Sequence, residues 1–127
     1  LKGLWGKSQW KKELADTSRL CFGISFNSNL VGIACCWLVL DEVQITAVAV
    51  HPNSRRLGVG EKLLSHLLRE SRTLGAKKAF LEVKSSNLPA ISLYKKVGFK
   101  ENGYRRKYFK DGSDAKLFFM GLENKKQ

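Results

Sequence analysis

Arg55-Arg56-Leu57-Gly58-Val59-Gly60 sits where a strand-patterned segment, Ile45 to Val50, gives way to a helix-patterned one. Two glycines at i and i+2 let a backbone pass close to a bulky ligand, and the first turn of the following helix leaves N–H groups without intrahelical acceptors. Those amides carry the partial positive charge of a helix N-terminus. With Arg55 and Arg56 beside them, the guest that suits this stretch is a phosphate or pyrophosphate. Glu61 and Lys62 follow the second glycine, where a nucleotide P-loop needs Lys and then Ser or Thr, and the run is shorter than a dinucleotide fingerprint, so both of those patterns weaken. A plain glycine turn before an amphipathic helix with two solvated arginines is the competing reading of so short a motif.

The elements that must position this run follow from periodicity and punctuation. His51-Pro52-Asn53-Ser54 is a turn signal ahead of it, and Leu63, Leu64, Leu67, Leu68 and Leu74 form the apolar stripe of the helix behind it, which Gly75 ends. Trp5 to Ala15 is a short helix candidate. Leu20–Phe26 and Leu30–Leu40 read as strands joined by Asn27-Ser28-Asn29, Glu42–Val50 as a third strand and Lys77–Lys84 as a fourth. A second helix, Asn87 to Val97, has Ser85, Ser86 and Asn87 as capping candidates and Gly98 as its stop. Phe99–Tyr108 and Lys116–Leu122 form a last strand pair around Asp111-Gly112. Antiparallel strands first and a strand-helix-strand-helix unit afterwards predict a mixed α/β (α+β) sheet with helices on its faces.

A chain of 127 residues with 43% hydrophobic content supports one core, so residues 1–127 are read as a single domain. No apolar run approaches a membrane span and nothing at the amino terminus has the form of a secretory signal, which gives the expectation of a soluble, cytoplasmic protein without a membrane partner. Three cysteines, Cys21, Cys35 and Cys36, are an odd count at no zinc spacing; reduced core thiols are expected, and no metal. The net charge of +12 is scattered, with local density at Arg105, Arg106, Lys107 and Lys110, and comes with no nucleic-acid-binding signature. A phosphorylated ligand, a solvated surface or weak RNA or ribosome affinity would each account for it.

The chain resembles the GNAT superfamily of acetyl-CoA-dependent N-acetyltransferases, and within it the enzymes that acetylate the N-termini of ribosomal proteins. The resemblance rests on Ala49-Val50-His51-Pro52, the run from Arg55 to Gly60, Leu81-Glu82-Val83-Lys84-Ser85-Ser86-Asn87, Ala90-Ile91-Ser92-Leu93-Tyr94 with Gly98-Phe99, and Tyr104-Arg105-Arg106-Lys107-Tyr108-Phe109. It implies a mostly antiparallel central sheet with one splayed strand pair and helices on both faces. The family usually opens with a strand and a helix before the Trp5 region, and this sequence starts after them.

What the resemblance implies for the site is specific. Val48, Ala49 and Val50 would present backbone groups to the acetyl and pantetheine portion of acetyl-CoA, and the run Arg55, Arg56, Leu57, Gly58, Val59, Gly60 and Glu61 would hold its pyrophosphate. Asn87 would bind the pantetheine arm, Glu82 would be the general base and Tyr94 the general acid. Tyr108 would line the acceptor groove, with Phe109 standing where the family often has a second tyrosine. The chemistry needs such groups: the attacking amine must be neutral, an oxyanion develops, and the departing thiolate takes a proton. Each residue also has an ordinary reading: Glu82 as an ion-pair partner of Lys78 or Lys84, Tyr94 as a core tyrosine, Asn87 as a helix cap, and Tyr108 with Phe109 as cross-strand packing. An N-terminal α-amine, with a reference pKa near 8, suits a single modest base better than a lysine near 10.4. A GNAT enzyme for another amine and a non-catalytic acyl-CoA- or RNA-binding module are the alternatives.

Overall fold

The computed structural model describes residues 9–14, 17–55 and 57–123. Seven strands form one sheet: β1 (Gln9–Leu14), β2 (Thr17–Phe26), β3 (Asn29–Val39), β4 (Glu42–Val50), β5 (Lys78–Lys84), β6 (Lys100–Arg105) and β7 (Ala115–Gly121). Helix α1 (Val59–Thr73) connects β4 to β5, and α2 (Leu88–Val97) connects β5 to β6. The spatial order is β1-β2-β3-β4-β5-β7-β6, antiparallel everywhere except between β4 and β5. The one parallel junction is where a helical crossover is required, and α1 supplies it.

Alternation along the strands builds the core. Leu20, Phe22 and Ile24 of β2, Ala34, Cys36 and Leu38 of β3, Val43 and Ile45 of β4, and Ala79, Leu81 and Val83 of β5 are all buried in one cluster. Leu63, Leu64, Leu67 and Leu68 of α1 and Ile91 and Tyr94 of α2 close the same cluster from above, so both helices cover one face of the sheet. The expected helical layer on the other face is not found among the described residues. That face of β5 carries Phe80, Glu82 and Lys84 in place of a continuous apolar stripe.

The Trp5–Ala15 expectation is corrected where the structure describes it. Gln9–Leu14 is strand β1, paired antiparallel with β2 from Gln9↔Cys21 to Leu14↔Thr17, and the rest of that span, residues 5–8 and 15, lies outside the described residues. The backbone hydrogen bonds offered by the β2 edge override a weak helical preference in a segment this short. The last strand pair is shorter than expected, because β6 stops at Arg105 and Tyr108 lies in the loop that follows. Lys107 there adopts φ +51°, which no strand continues through. The three cysteines are free, as the odd count suggested. Cys36 is enclosed in the core, and burial pushes its thiol up to about 12, away from any nucleophilic role.

Candidate active site

β4 and β5 pair only at Glu42↔Lys78, Val43↔Ala79 and Gln44↔Phe80. Beyond Gln44 they diverge, and an irregularity in the β3–β4 register opposite Cys35 and Cys36 bends β4 at that point. The upper halves of the two strands therefore flank a gap in the sheet. Which backbone groups face it follows from one bond at the end of β4. The His51 N–H donates to the Val31 carbonyl at 2.8 Å, and Ala49 stands opposite Ile33 two residues earlier. In an antiparallel ladder the direction alternates, so Ala49 turns its backbone to β3 while Val48 and Val50 turn theirs to the gap. Of the three residues expected to present backbone groups, Val48 and Val50 turn theirs to the gap and Ala49 does not. The Val50 carbonyl already accepts from Arg55 Nε at 3.2 Å, which holds the arginine at the mouth of the gap.

The glycine run forms the lip. Gly58 is the N-cap of α1 in the left-handed region, φ 79°, ψ 10°, with no side-chain cap hydrogen bond. The first helical bond runs from the Lys62 N–H to the Gly58 carbonyl, 3.0 Å, so the amides of Val59, Gly60 and Glu61 have no intrahelical acceptor. A Cβ placed on Gly58 would meet nothing within 4 Å, so the space over this turn is open. Gly60 has a different job: a Cβ there would come within 3.0 Å of Leu93 Cδ2, so its bareness lets α1 and α2 pack closely. Glu61 turns its side chain to Lys96 of α2, 3.3 Å away, and Leu57 is exposed. Arg56 lies outside the described residues.

Glu82 and Tyr94 stand on opposite faces of the sheet. Alternation puts Leu81 and Val83 of β5 in the core and leaves Glu82 exposed on the side away from the helices. No ion pair reaches Glu82 among the described residues; Lys84 pairs with Asp111 instead. Tyr94 is buried on the helix side, its ring tilted against Phe118 at 6.4 Å and edge-on to Phe99 at 6.2 Å between centroids. Burial raises its phenol above the ordinary value, so it stays protonated across the neutral range. Asn87 is exposed at the tip of α2 and caps it, Oδ1 accepting from the Ala90 N–H at 3.2 Å. The cap reading holds for its oxygen, and its amide nitrogen remains a donor for a ligand.

The loop after β6 reaches back over β5. The Tyr108 hydroxyl donates to Glu82 Oε1 at 3.2 Å, and Phe109 packs edge-on to Tyr108 at 5.1 Å. Cross-strand packing of these two rings is excluded, since neither lies in a strand. Sequence reasoning missed the residues that fold this loop. Asp114 accepts from the Tyr104 hydroxyl at 2.5 Å and from the Lys107 N–H at 2.8 Å, and both bonds, the tyrosine's foremost, hold its carboxyl below the usual range. Asp111 accepts from Lys84 and from Ser113. The Asp-Gly-Ser-Asp cluster at 111–114 was the available signal, since acidic side chains in turns commonly bond their own backbone.

The chain is 33% identical over 120 residues to a Bacillus subtilis protein that carries, in provisional form, the name ribosomal protein bS18-alanine N-acetyltransferase; the match covers 93% of this chain and 80% of the relative. Against the Escherichia coli K12 protein of that name it is 39% identical over 90 residues, covering 71% of this chain and 61% of the relative. The crystal structure of the ribosomal-protein-S18-alanine N-acetyltransferase from Escherichia coli superimposes with a TM-score of 0.77 at 35% identity, covering 86% of this chain and 72% of that one. A model of the acetyltransferase (GNAT) family matches residues 3–99, more than half the sequence, and the chain belongs to that family.

Proposed function

We propose that this protein transfers the acetyl group of acetyl-CoA to the N-terminal α-amine of a protein, and that the acceptor is a ribosomal protein of the kind its relatives are named for. The observation that carries this reading is the gap between β4 and β5. The strands that flank it carry a carboxylate on one face of the sheet, a protonated phenol lies on the other face, and helix amides without intrahelical acceptors stand at its lip. Acetyl-CoA supplies the acyl group as a thioester, whose carbonyl carbon is the electrophile.

Each of the protein's own groups then has one task. The Val59, Gly60 and Glu61 amides receive pyrophosphate oxygens, aided by the helix dipole. The Val48 and Val50 N–H groups face the gap, where charge develops on the carbonyl oxygen. Glu82 takes the proton of the incoming amine directly or through water, and Tyr108 fixes one oxygen of that carboxylate by donating to it. Tyr94 holds the proton that the departing sulfur needs, on the face opposite the amine. Attack from one face and departure toward the other is the geometry that a gap through a sheet permits.

The test is intact-mass measurement of short peptides after incubation with acetyl-CoA. A peptide starting with Ala should gain 42 Da, about the mass of one acetyl replacing one hydrogen, at its α-amine. Preferential acetylation of an internal lysine, a polyamine or an aminoglycoside would overturn the acceptor assignment, and acetyl-CoA binding with no transfer to any amine would overturn catalysis.

A further inference from the structure

We infer that Lys84 and Asp111 are positioning residues for the acceptor peptide: their ion pair latches the loop between β6 and β7 onto β5, and so keeps Tyr108 on Glu82. The inference rests on the acetyl-transfer reading. Lys84 is two residues beyond Glu82, so both side chains leave β5 on the same face. Its Nζ lies 2.7 Å from Asp111 Oδ2, while Asp111 Oδ1 accepts from the Ser113 amide at 2.9 Å and the Ser113 hydroxyl at 2.5 Å. The turn at 111–113 is thereby rigid and tied to the strand that carries the base. Asp114 locks the other half of the loop through Tyr104 and the Lys107 amide, and its carbonyl accepts from the Ser85 N–H at 3.0 Å. Phe109 closes the circuit, its N–H donating to the Ser113 carbonyl at 3.1 Å while the Lys84 ammonium lies 5.9 Å from the centre of its ring.

Tyr108 sits between these anchors, and its bond to Glu82 is long for a phenol donating to a carboxylate. Such a bond follows the loop; it does not hold it. Lys84 and Asp111 are about half exposed, at 47% and 55% of their side-chain surface, so their pair adds little to global stability. Its effect falls on where the loop rests. Asp111 is drawn well below the ordinary carboxylate range, first by Lys84 and then by Ser113, and is ionised wherever the enzyme would work.

The experiment compares Lys84→Ala, Asp111→Asn, the double variant and Lys84→Arg in the full chain. The single variants should raise KM for the acceptor peptide about tenfold, an effect of the size that small misplacements of substrate produce, with KM for acetyl-CoA and Tm unchanged. The double variant should be no worse than either single, and Lys84→Arg should restore the peptide KM. Hydrogen exchange at the Phe109 and Ser113 amides should quicken in the singles and recover in Lys84→Arg. Wild-type peptide KM together with wild-type exchange at those amides would overturn the latch. If the unmodified protein acetylates no amine, exchange alone decides: faster exchange in the singles supports the latch while the transfer reading falls, and unchanged exchange removes both.

Discussion

Glu82 separates from its neighbours by what it lacks. An exposed carboxylate two residues from a lysine is ordinarily read as half of an ion pair, yet that lysine is engaged by Asp111, and the contact Glu82 makes is with a phenol. Glu82→Gln keeps the shape and the Tyr108 bond but cannot take a proton, so turnover should fall about a hundredfold or more while acetyl-CoA affinity, measured by calorimetry, stays put. Tyr94→Phe deletes a hydroxyl and keeps a ring packed between Phe99 and Phe118; a similar fall in turnover is expected, with little change in Tm. The raised phenol also makes a pH prediction. Folded Tyr94 keeps its proton to higher pH than unfolded tyrosine, so between the two values the native state binds more protons and stability falls as pH rises. Urea midpoints measured upward from pH 9 should decline for the parent protein and less steeply for Tyr94→Phe. The types of these two residues were readable from the motifs around them. Their placement on opposite faces was not, because it depends on which face of β5 the helices cover, and no local pattern encodes that.

Strands and helices differ in how openly they announce themselves. β4 matches its expected span residue for residue, since the turn at Leu40 and Asp41 and the Pro52 turn bracket a run that alternates polar with apolar up to Thr46 and is apolar from Ala47 to Val50. α1 and α2 end at their glycines as expected. The first span failed because its conformation is set by pairing with β2, a partner distant in kind from any propensity. The last hairpin was overextended because the ladder ends at Arg105, where Asp114, accepting from the Tyr104 hydroxyl and the Lys107 amide, turns the chain out of the strand. The two glycines of the cradle looked alike in sequence and prove to act differently, which a pair of substitutions can show. Gly58→Ala places a side chain in left-handed backbone with open space around it, so its cost is about 1–2 kcal/mol of strain at the turn that aims the amides, read as weaker acetyl-CoA binding. Gly60→Val presses on Leu93 and should lower Tm more than Gly58→Ala does. Equal Tm losses in the two would contradict this division.

Charge and connectivity belong to the molecule as a unit. A surplus of twelve positive charges makes association with an anionic cosubstrate faster at low salt, so the on-rate for acetyl-CoA should drop as ionic strength rises while the off-rate changes less. The strand order carries a further consequence. β7 lies between β5 and β6, so the chain makes β5, passes through α2, lays down β6 at a distance, and only then fills the slot between them. All seven residues of β5 pair with β7, from Lys78↔Gly121 to Lys84↔Ala115. Until the final strand is synthesised and inserted, the strand bearing Glu82 has an open edge along its whole length, and the loop bearing Tyr108 has no return strand to close it. Closing contacts this far apart in sequence is slow relative to forming a local hairpin, and an open edge invites pairing with another chain. A nascent chain halted before Ala115 is therefore a species prone to self-association in which the proposed base, Glu82, lacks its flanking strand and its Tyr108 partner, and the proposed site is completed in one step with β7.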